Sequence, residues 1–436
     1  AAGLAASLLI ASALAEEPQR GRDQLKEILG DEHALALNAD LWIYNDIEAA
    51  RAEARKQNKP LFVTFRCVPC KACRGFDAEV AQGSDAVRKL AQTEFVSVRQ
   101  VEMKGVDLTQ FQFDHDLNWA AMFIHPDGTV YARYGTQSAE GPDAYNSIEG
   151  LLNTMRRVVE LHREYPRNKE SLQHKRPPQK PYQTALEMPG LKNKDRYRAA
   201  TARENCIHCH NIHDAENRHA QQTGTFTQDM LWRYPLPENV DLVIDPDDGV
   251  RIAEVKGGTP ADEAGLQPGE NILRIEGQPI TSIADMQWVL HQLPNDRTTL
   301  EIESSRTGTH LLELSEGWKR TDISWRGSIW SLSPRLNVWA PELSAPERRE
   351  RKLPADRSAF LVRWINRNEP GGRAAYESGL REGDVVLELD GEPLDEGMTA
   401  SQFMTHVKLN YEVGDELPLT ILRDDKKHSV RIKLVD

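Results

Sequence analysis

Cysteine is scarce in this chain. Only five of its 436 residues are cysteine. All fall in two clusters: Cys67, Cys70 and Cys73, then Cys206 and Cys209, with His210 directly following. So few sulfurs exclude a disulfide-stapled scaffold, and their clustering points to chemistry. Basic charge is also short. With 54 Lys and Arg against 67 Asp and Glu, the formal net charge is −13. A phosphate backbone selects basic faces, so general nucleic-acid binding is excluded. Long apolar runs are missing too: beyond the N-terminal stretch, nothing approaches the ~18 residues that a transmembrane segment requires. No Gly-x-Ser-x-Gly nucleophile elbow occurs, which argues against a serine hydrolase of that type.

What is present is an ordinary globular composition, 39% hydrophobic, with length for about three domains. Residues 1–15 form an apolar run ending in Ala13-Leu14-Ala15, which reads as a signal peptide truncated at its start. The expected location is therefore periplasmic or otherwise extracytoplasmic. Residues 16–36 read as a polar tether. Asp46–Lys59 is patterned as a helix, Leu61–Phe65 as a buried strand, and Ser84–Thr93 as a helix capped by Ser84. Strands follow at 95–98, 121–124 and 130–133, the last two joined by the Pro126-Asp127-Gly128 turn. A long helix, 147–165, carries Leu151, Leu152, Met155, Val158 and Val159 on one face. Residues 167–195, rich in Pro, Lys, Arg and Gln, read as a linker.

The first cysteine cluster directly follows a strand and opens a segment that can be helical. Free N–H groups and the helix dipole at such a position stabilise a thiolate at Cys67. Cys70 lies one turn on, and Cys73 a further turn. The three thiols allow redox exchange, in which Cys73 could act as a relay, or soft-metal binding, with His115 or His125 as added ligands. The stretch Pro60–Lys71, with Cys67-Val68-Pro69-Cys70-Lys71, resembles the active-site strand and turn of the thioredoxin superfamily, and Phe123–Tyr134 resembles its later hairpin. The resemblance implies a thioredoxin-like domain at 37–166, with Cys67 as nucleophile and Cys70 as resolving cysteine. Two departures stand out. Trp119 or Ala120 occupies the place of the superfamily's cis-proline, and Arg66 replaces the Trp before the motif.

In the second cluster, Cys206-Ile207-His208-Cys209-His210 has the Cys-x-x-Cys-His spacing. Two thioethers could clamp a haem edge while His210 reaches the iron. The motif resembles a c-type cytochrome attachment site, within a short helical segment at 196–234. Met230, His219 and His174 are candidate sixth ligands. The alternative cofactor is zinc, held by Cys206, Cys209 and two of His208, His210, His213 and His219.

From Pro235 the pattern becomes β, with an internal repeat. Gly265-Leu266 to Gly277-Gln-Pro279 recurs as Gly379-Leu380 to Gly391-Glu-Pro393. A helix follows each copy, one with Met286, Val289 and Leu290 on a face, the other with Phe403 and Val407. The repeats resemble bacterial PDZ domains, which implies β-sandwich modules at 235–317 and 353–436 that bind a protein or peptide terminus by strand addition. By that resemblance Val240, Asp241, Leu242, Met286, Val289, Phe403 and Val407 are the peptide-binding residues. The acidic Asp241 would repel a carboxylate. Residues 318–352 read as a connector whose Trp318, Trp325, Trp330 and Trp339 pack the modules together.

The expected fold class is thus multidomain α/β plus mainly β. It combines a thioredoxin-like fold, a short helical Cys-x-x-Cys-His segment and two PDZ-like modules. The combination resembles bacterial thioredoxin/PDZ proteins of planctomycete type, some of which carry selenocysteine at a redox position. It implies an exported thiol–disulfide oxidoreductase or redox relay using Cys67, Cys70 and Cys73, with haem c on Cys206, Cys209 and His210. The alternatives are a non-enzymatic PDZ scaffold and a metal-handling thioredoxin-like protein.

Overall fold

The computed structural model of the chain describes residues 41–66, 74–176, 178–199, 205–306 and 308–436. The signal-peptide and tether segments, and Cys67, Cys70 and Cys73, lie outside the described residues. The chain forms two compact units, one ending at Thr321 and the other beginning at Asp322. No helix among the described residues is long and apolar enough to cross a membrane.

The first unit opens with a five-stranded sheet. Its strands are β1 (Trp42–Tyr44), β2 (Leu61–Arg66), β3 (Val96–Gln100), β4 (Trp119–Ile124) and β5 (Val130–Tyr134), in the order β1-β3-β2-β4-β5. β1, β3 and β2 run parallel, while β4 and β5 are antiparallel additions. Every residue of β2 and β4 is buried, so these strands read as continuous apolar runs without alternation. The flanking helices are α1 (Ile47–Gln57), the short α2 (Arg74–Ala78), α3 (Asp85–Glu94) and α4 (Ile148–Glu164). The starts of α1, α3 and α4 are set locally. Asp46 accepts from the Ala49 N–H, Ser84 from Val87 and Ser147 from Gly150, which satisfies donors the helix leaves open. The stripe expected on α4, from Leu151 to Val159, faces the core.

Residues 167–195 are not a linker. Leu172, Lys175, Ala185, Met188 and Leu191 are buried. The stretch lacks periodicity because it buries residues singly through short turns, not along one helical face. The Cys-x-x-Cys-His segment is also less helical than expected. Only His210 of the motif enters a helix, α5 (His210–Thr223), while Cys206 to His208 are irregular.

The first PDZ-like module comprises β6 (Leu242–Ile244), β7 (Ile252–Val255), β8 (Ile272–Ile275), β9 (Gln278–Pro279), β10 (Thr298–Ser304), β11 (Gly308–Leu314) and α6 (Ile283–Gln292). It is welded to the thioredoxin-like sheet by a buried polar seam. Lys175 Nζ lies 2.6 Å from Asp285 Oδ2, with both side chains at 0% exposure. Lys175 also donates to the Tyr131 carbonyl at 2.7 Å, and the Arg133 N–H to Asp285 at 3.1 Å. The Arg133 guanidinium stacks 3.7 Å from the Trp288 ring centroid and donates to the Gln112 and Lys175 carbonyls. Beside the seam, Ser147 and Asn153 donate to the Pro246 and Asp247 carbonyls, and Arg157 pairs with Asp248.

The second unit holds β12 (Val338–Trp339), β13 (Phe360–Leu361), β14 (Trp364–Ile365), β15 (Val385–Leu389), β16 (Glu392–Pro393), β17 (Glu416–Arg423) and β18 (Lys426–Lys433). Its main helices are α7 (Pro370–Glu377) and α8 (Ala400–Asn410). Leu336 joins its core cluster, so the module begins inside the stretch read as a connector. The indoles there do not share one packing role. Trp318 belongs to the first module's core, whereas Trp330 and Trp339 are 53% and 60% exposed.

The seam yields a test. Lys175→Ala leaves Asp285 charged and buried, and is expected to cost about 3–5 kcal/mol of stability. Lys175→Met with Asp285→Leu is expected to cost clearly less than the sum of the single changes, read by denaturant unfolding of all three variants. Additive losses would mean that the pair is not coupled.

Candidate functional site

The edge formed by the carboxyl ends of β2 and β3 gathers most of the chain's chemical groups. β2 ends at Arg66, and Cys67 follows it in the chain. Arg66 Nη1 is 2.8 Å from Asp77 Oδ2 on α2, and Arg99 of β3 grips the same carboxylate at 2.9 and 2.8 Å. All three side chains are buried. Two guanidinium groups thus share one carboxylate at the end of β2, just before the cysteine segment in the chain. Arg66 pairs with Trp119 across the sheet, so Trp119 occupies the position opposite the end of β2. Of the two histidines expected near this edge, His115 lies before Trp119 on the right side. His125 follows Ile124, which pairs with Leu61 at the far end of β2. That end is roughly 17 Å away at ~3.4 Å per residue.

Cys206 is brought to this same edge. Its Sγ lies 3.5 Å from Glu102 Oε2, and the Ile207 N–H is 3.4 Å from Glu102 Oε1. Glu102 sits two residues beyond Gln100, which pairs with Phe65. Cys206 and Cys209 are each 4% exposed. The His208 and His210 rings stack, with centroids 5.3 Å apart. Both sulfurs are covered in this structure, Cys206 beside a carboxylate. His219 is unsuited as a sixth ligand to an iron held by His210. It lies on α5 nine residues after His210, about 13.5 Å along the axis at 1.5 Å per residue and on the opposite face. Met230 lies in a short helical turn, Gln228–Leu231, and His174 in another, Gln173–Lys175.

His213, one turn into α5, is buried in a separate polar chamber. Its Nδ1 is 2.9 Å from Glu216 Oε2, and its Nε2 is 3.1 Å from the His115 N–H and 3.5 Å from Asp114 Oδ1. Glu216 is held in turn by Lys180, Tyr182 and Arg233. Burial and Arg233 push the His213 imidazole down, but the Asp114 and Glu216 carboxylates outweigh them and raise it overall. Burial, with His213 and Lys180 nearby, holds His115 well below the usual range. Glu216 is likewise held low, its burial overcome by Arg233, His213 and Lys180. Among the described residues, the converging donors are Asp114, Asp116 and His213, within 4.8 Å of one another. No zinc grouping of the two cysteines with histidines appears among the described residues.

The two PDZ-like modules differ at the place a ligand strand would occupy. In the first, Val240, Leu242, Met286 and Val289 are at most 6% exposed and belong to one core cluster. Tyr234 joins them. Its ring stacks on His291 of α6 at 4.3 Å, and its carbonyl accepts from Gln287 at 2.8 Å. Asp285 and Trp288 of the same helix are committed to the seam. The expected peptide-binding residues of this module are therefore interior residues, filled over by the chain itself. Asp241 adopts the left-handed conformation at the end of a short helical turn.

The second module is open. A cleft of about 260 Å³ runs between β12 and α8, lined by Val338, Trp339, Ala340, Phe403 and Met404 with Trp330 at its margin. Asn337 and Trp339 give their carbonyls to Asn366 and Arg363, so the alternate residue Val338 turns its backbone groups to the other edge. Phe403 lines the cleft as expected, whereas Val407 is wholly buried and does not. The loop before β12 reads Arg335-Leu336-Asn337-Val338, with Asn337 in the left-handed conformation at φ +51. It matches Asn239-Val240-Asp241-Leu242 of the first copy, but the third residue is neutral and the first basic. The match was readable in the sequence. It was hidden because this loop precedes the repeat and sits among tryptophans that suggest a connector. Lys408 of α8 braces the loop by donating to the Leu332 and Pro334 carbonyls.

Comparison with known proteins agrees with this division. Residues 42–126 match the thioredoxin-like family, and residues 251–304 and 362–434 each match a PDZ domain family. A probable periplasmic serine endoprotease, DegP-like, from Pseudomonas savastanoi is 28% identical over 198 residues, 44% of this chain and 38% of that protein. A putative protease Do-like 14 from Arabidopsis thaliana is 36% identical over 73 residues, 15% of this chain and 17% of that protein. The chain thus spans well under half the length of these relatives. Among solved structures, the HtrA3 PDZ domain bound to a phage-derived ligand is similar at 14% identity, with 24% of this chain and 86% of that one covered and a TM-score of 0.19. The chain carries an N-terminal thioredoxin-like domain followed by two PDZ domains.

Proposed function

We propose that this protein is an exported adaptor that captures the carboxyl terminus of a partner protein in its second PDZ domain and presents it to a dithiol site at Cys67, Cys70 and Cys73. The observation that carries the reading is the contrast between the grooves: the first is filled by its own chain, the second is an open apolar cleft beside a free strand edge. Strand addition on β12 would supply main-chain hydrogen bonds, the cleft would take apolar side chains, and the Arg335–Val338 loop would receive the carboxylate. The expected export and the periplasmic relatives support this reading.

At the dithiol site, the Cys67 thiolate would attack a partner disulfide to give a mixed disulfide. Cys70 would then displace the partner thiol, leaving the partner reduced and Cys67–Cys70 oxidised. Haem c on Cys206, Cys209 and His210 is not required for this reading.

Peptides with an apolar residue at a free C-terminus are expected to bind the full chain in fluorescence anisotropy, and their amidated forms to lose binding. Met404→Asp and Trp339→Ala are expected to weaken binding at least roughly tenfold, equivalent to about 1.4 kcal/mol, while Glu254→Gln on the outer surface leaves it unchanged. Equal binding of amidated peptides would remove the carboxylate assignment. Separately, Cys67→Ser is expected to abolish disulfide reduction of a peptide substrate without altering its capture; retained turnover would remove Cys67 as nucleophile. Expression with c-haem maturation is expected to give protein without a Soret band, and a covalent haem signal would assign Cys206, Cys209 and His210 to haem attachment.

A further inference from the structure

We infer that Asp114, Asp116 and His213 form a binding site for a single divalent cation with nitrogen and oxygen preference, such as zinc or manganese, that uses neither Cys206 nor Cys209. The three donors come from two separate parts of the chain, the loop before β4 and the helix α5, yet their ligand atoms lie within 4.8 Å of one another. All three side chains are buried, unlike the exposed acidic groups that commonly cluster by chance. Two carboxylates and an imidazole make a donor set without sulfur, which suits zinc or manganese over a soft copper(I) ion.

The orientation of His213 is that of a metal ligand. Its Nδ1 donates to Glu216, itself anchored by Lys180 and Arg233. A carboxylate behind a ligating histidine fixes the tautomer and turns the Nε2 lone pair towards the ion. That lone pair faces Asp114 and accepts the His115 N–H at 3.1 Å, a contact that the cation would replace.

His115 provides an independent sign. It is 2% exposed, and its Nδ1 is 2.6 Å from the Phe113 carbonyl. Its Nε2 is buried with no hydrogen-bond partner. Its ring centroid lies 5.3 Å from that of His213, and the charges acting on it include those of Asp114 and Glu216. A buried imidazole with one nitrogen anchored and the other unsatisfied calls for an explanation. His115 lies outside the three converging donors, and its unsatisfied nitrogen marks a polar gap beside His213.

The test uses the full chain, stripped with chelator and titrated with cobalt(II), then with zinc(II) in competition. The first equivalent of cobalt is expected to bind without a thiolate-to-cobalt charge-transfer band, and zinc to displace it. Asp116→Asn is expected to weaken binding more than about tenfold, while Cys206→Ser with Cys209→Ser leaves it unchanged. Absence of a bound equivalent, or a first equivalent that carries the thiolate band, would overturn the site. That spectrum is read on the unaltered chain, so the outcome does not depend on whether Asp116→Asn folds. Retention of full affinity in a folded Asp116→Asn protein would overturn it as well.

Discussion

Lys175 and Asp285 meet 2.6 Å apart with no solvent access to either side chain, and they join two domains that are separate families in sequence. Removing two charges from water is costly, and their attraction offsets that only with further hydrogen bonds in place. Those bonds are supplied here from both sides. Lys175 reaches the Tyr131 carbonyl of β5, and Asp285 accepts from Thr281 and from the Arg133 N–H. Burial holds the Lys175 ammonium below its usual range, and Asp285 offsets part of that shift. The pair therefore works as a register pin. It is satisfied only when the thioredoxin-like sheet, the 167–195 stretch and α6 sit in one arrangement.

The functional contrast between the PDZ domains depends on that arrangement. A PDZ helix must leave a gap against its partner strand to admit a ligand. In the first domain α6 is committed to the seam through Asp285 and Trp288 and covered by Tyr234, so the domain serves as a structural extension of the thioredoxin-like fold. In the second domain α8 keeps Phe403 and Met404 on an accessible cleft. On the proposed reading, one repeated architecture serves two uses, and the division is set by a few residues of the seam rather than by the shared glycine turns.

The fold was largely legible in the sequence because its signals are local. Strand runs such as Leu61–Arg66, the Ser84 cap, the α4 stripe and the repeated glycine turns each declare themselves within a short window. The misreadings have a common cause, which is dependence on distant partners. Lys175 lies among prolines and basic residues and looks solvated; only Asp285, more than a hundred residues away, makes it buried. Met286 and Val289 carry the spacing of groove residues, and nothing near them tells that Tyr234 closes the groove. The loop at Arg335–Val338 was missed because tryptophans on either side suggest packing. Asp114, Asp116 and His213 form no spaced motif, since a loop and a helix contribute them separately. The Cys-x-x-Cys-His spacing was visible, but the burial of its sulfurs and the contact of Cys206 with Glu102 were not.

The central claim is that peptide capture is confined to the second PDZ domain while the first is held shut by the seam. Hydrogen exchange of the full chain, with and without a saturating peptide bearing a free apolar C-terminus, tests it directly. The account predicts slowed exchange in Leu336–Glu342 and along α8, with no change in Val240–Ile244 or α6. Protection appearing in Val240–Ile244 and α6 would contradict it, because it would show that the first groove opens and takes a ligand.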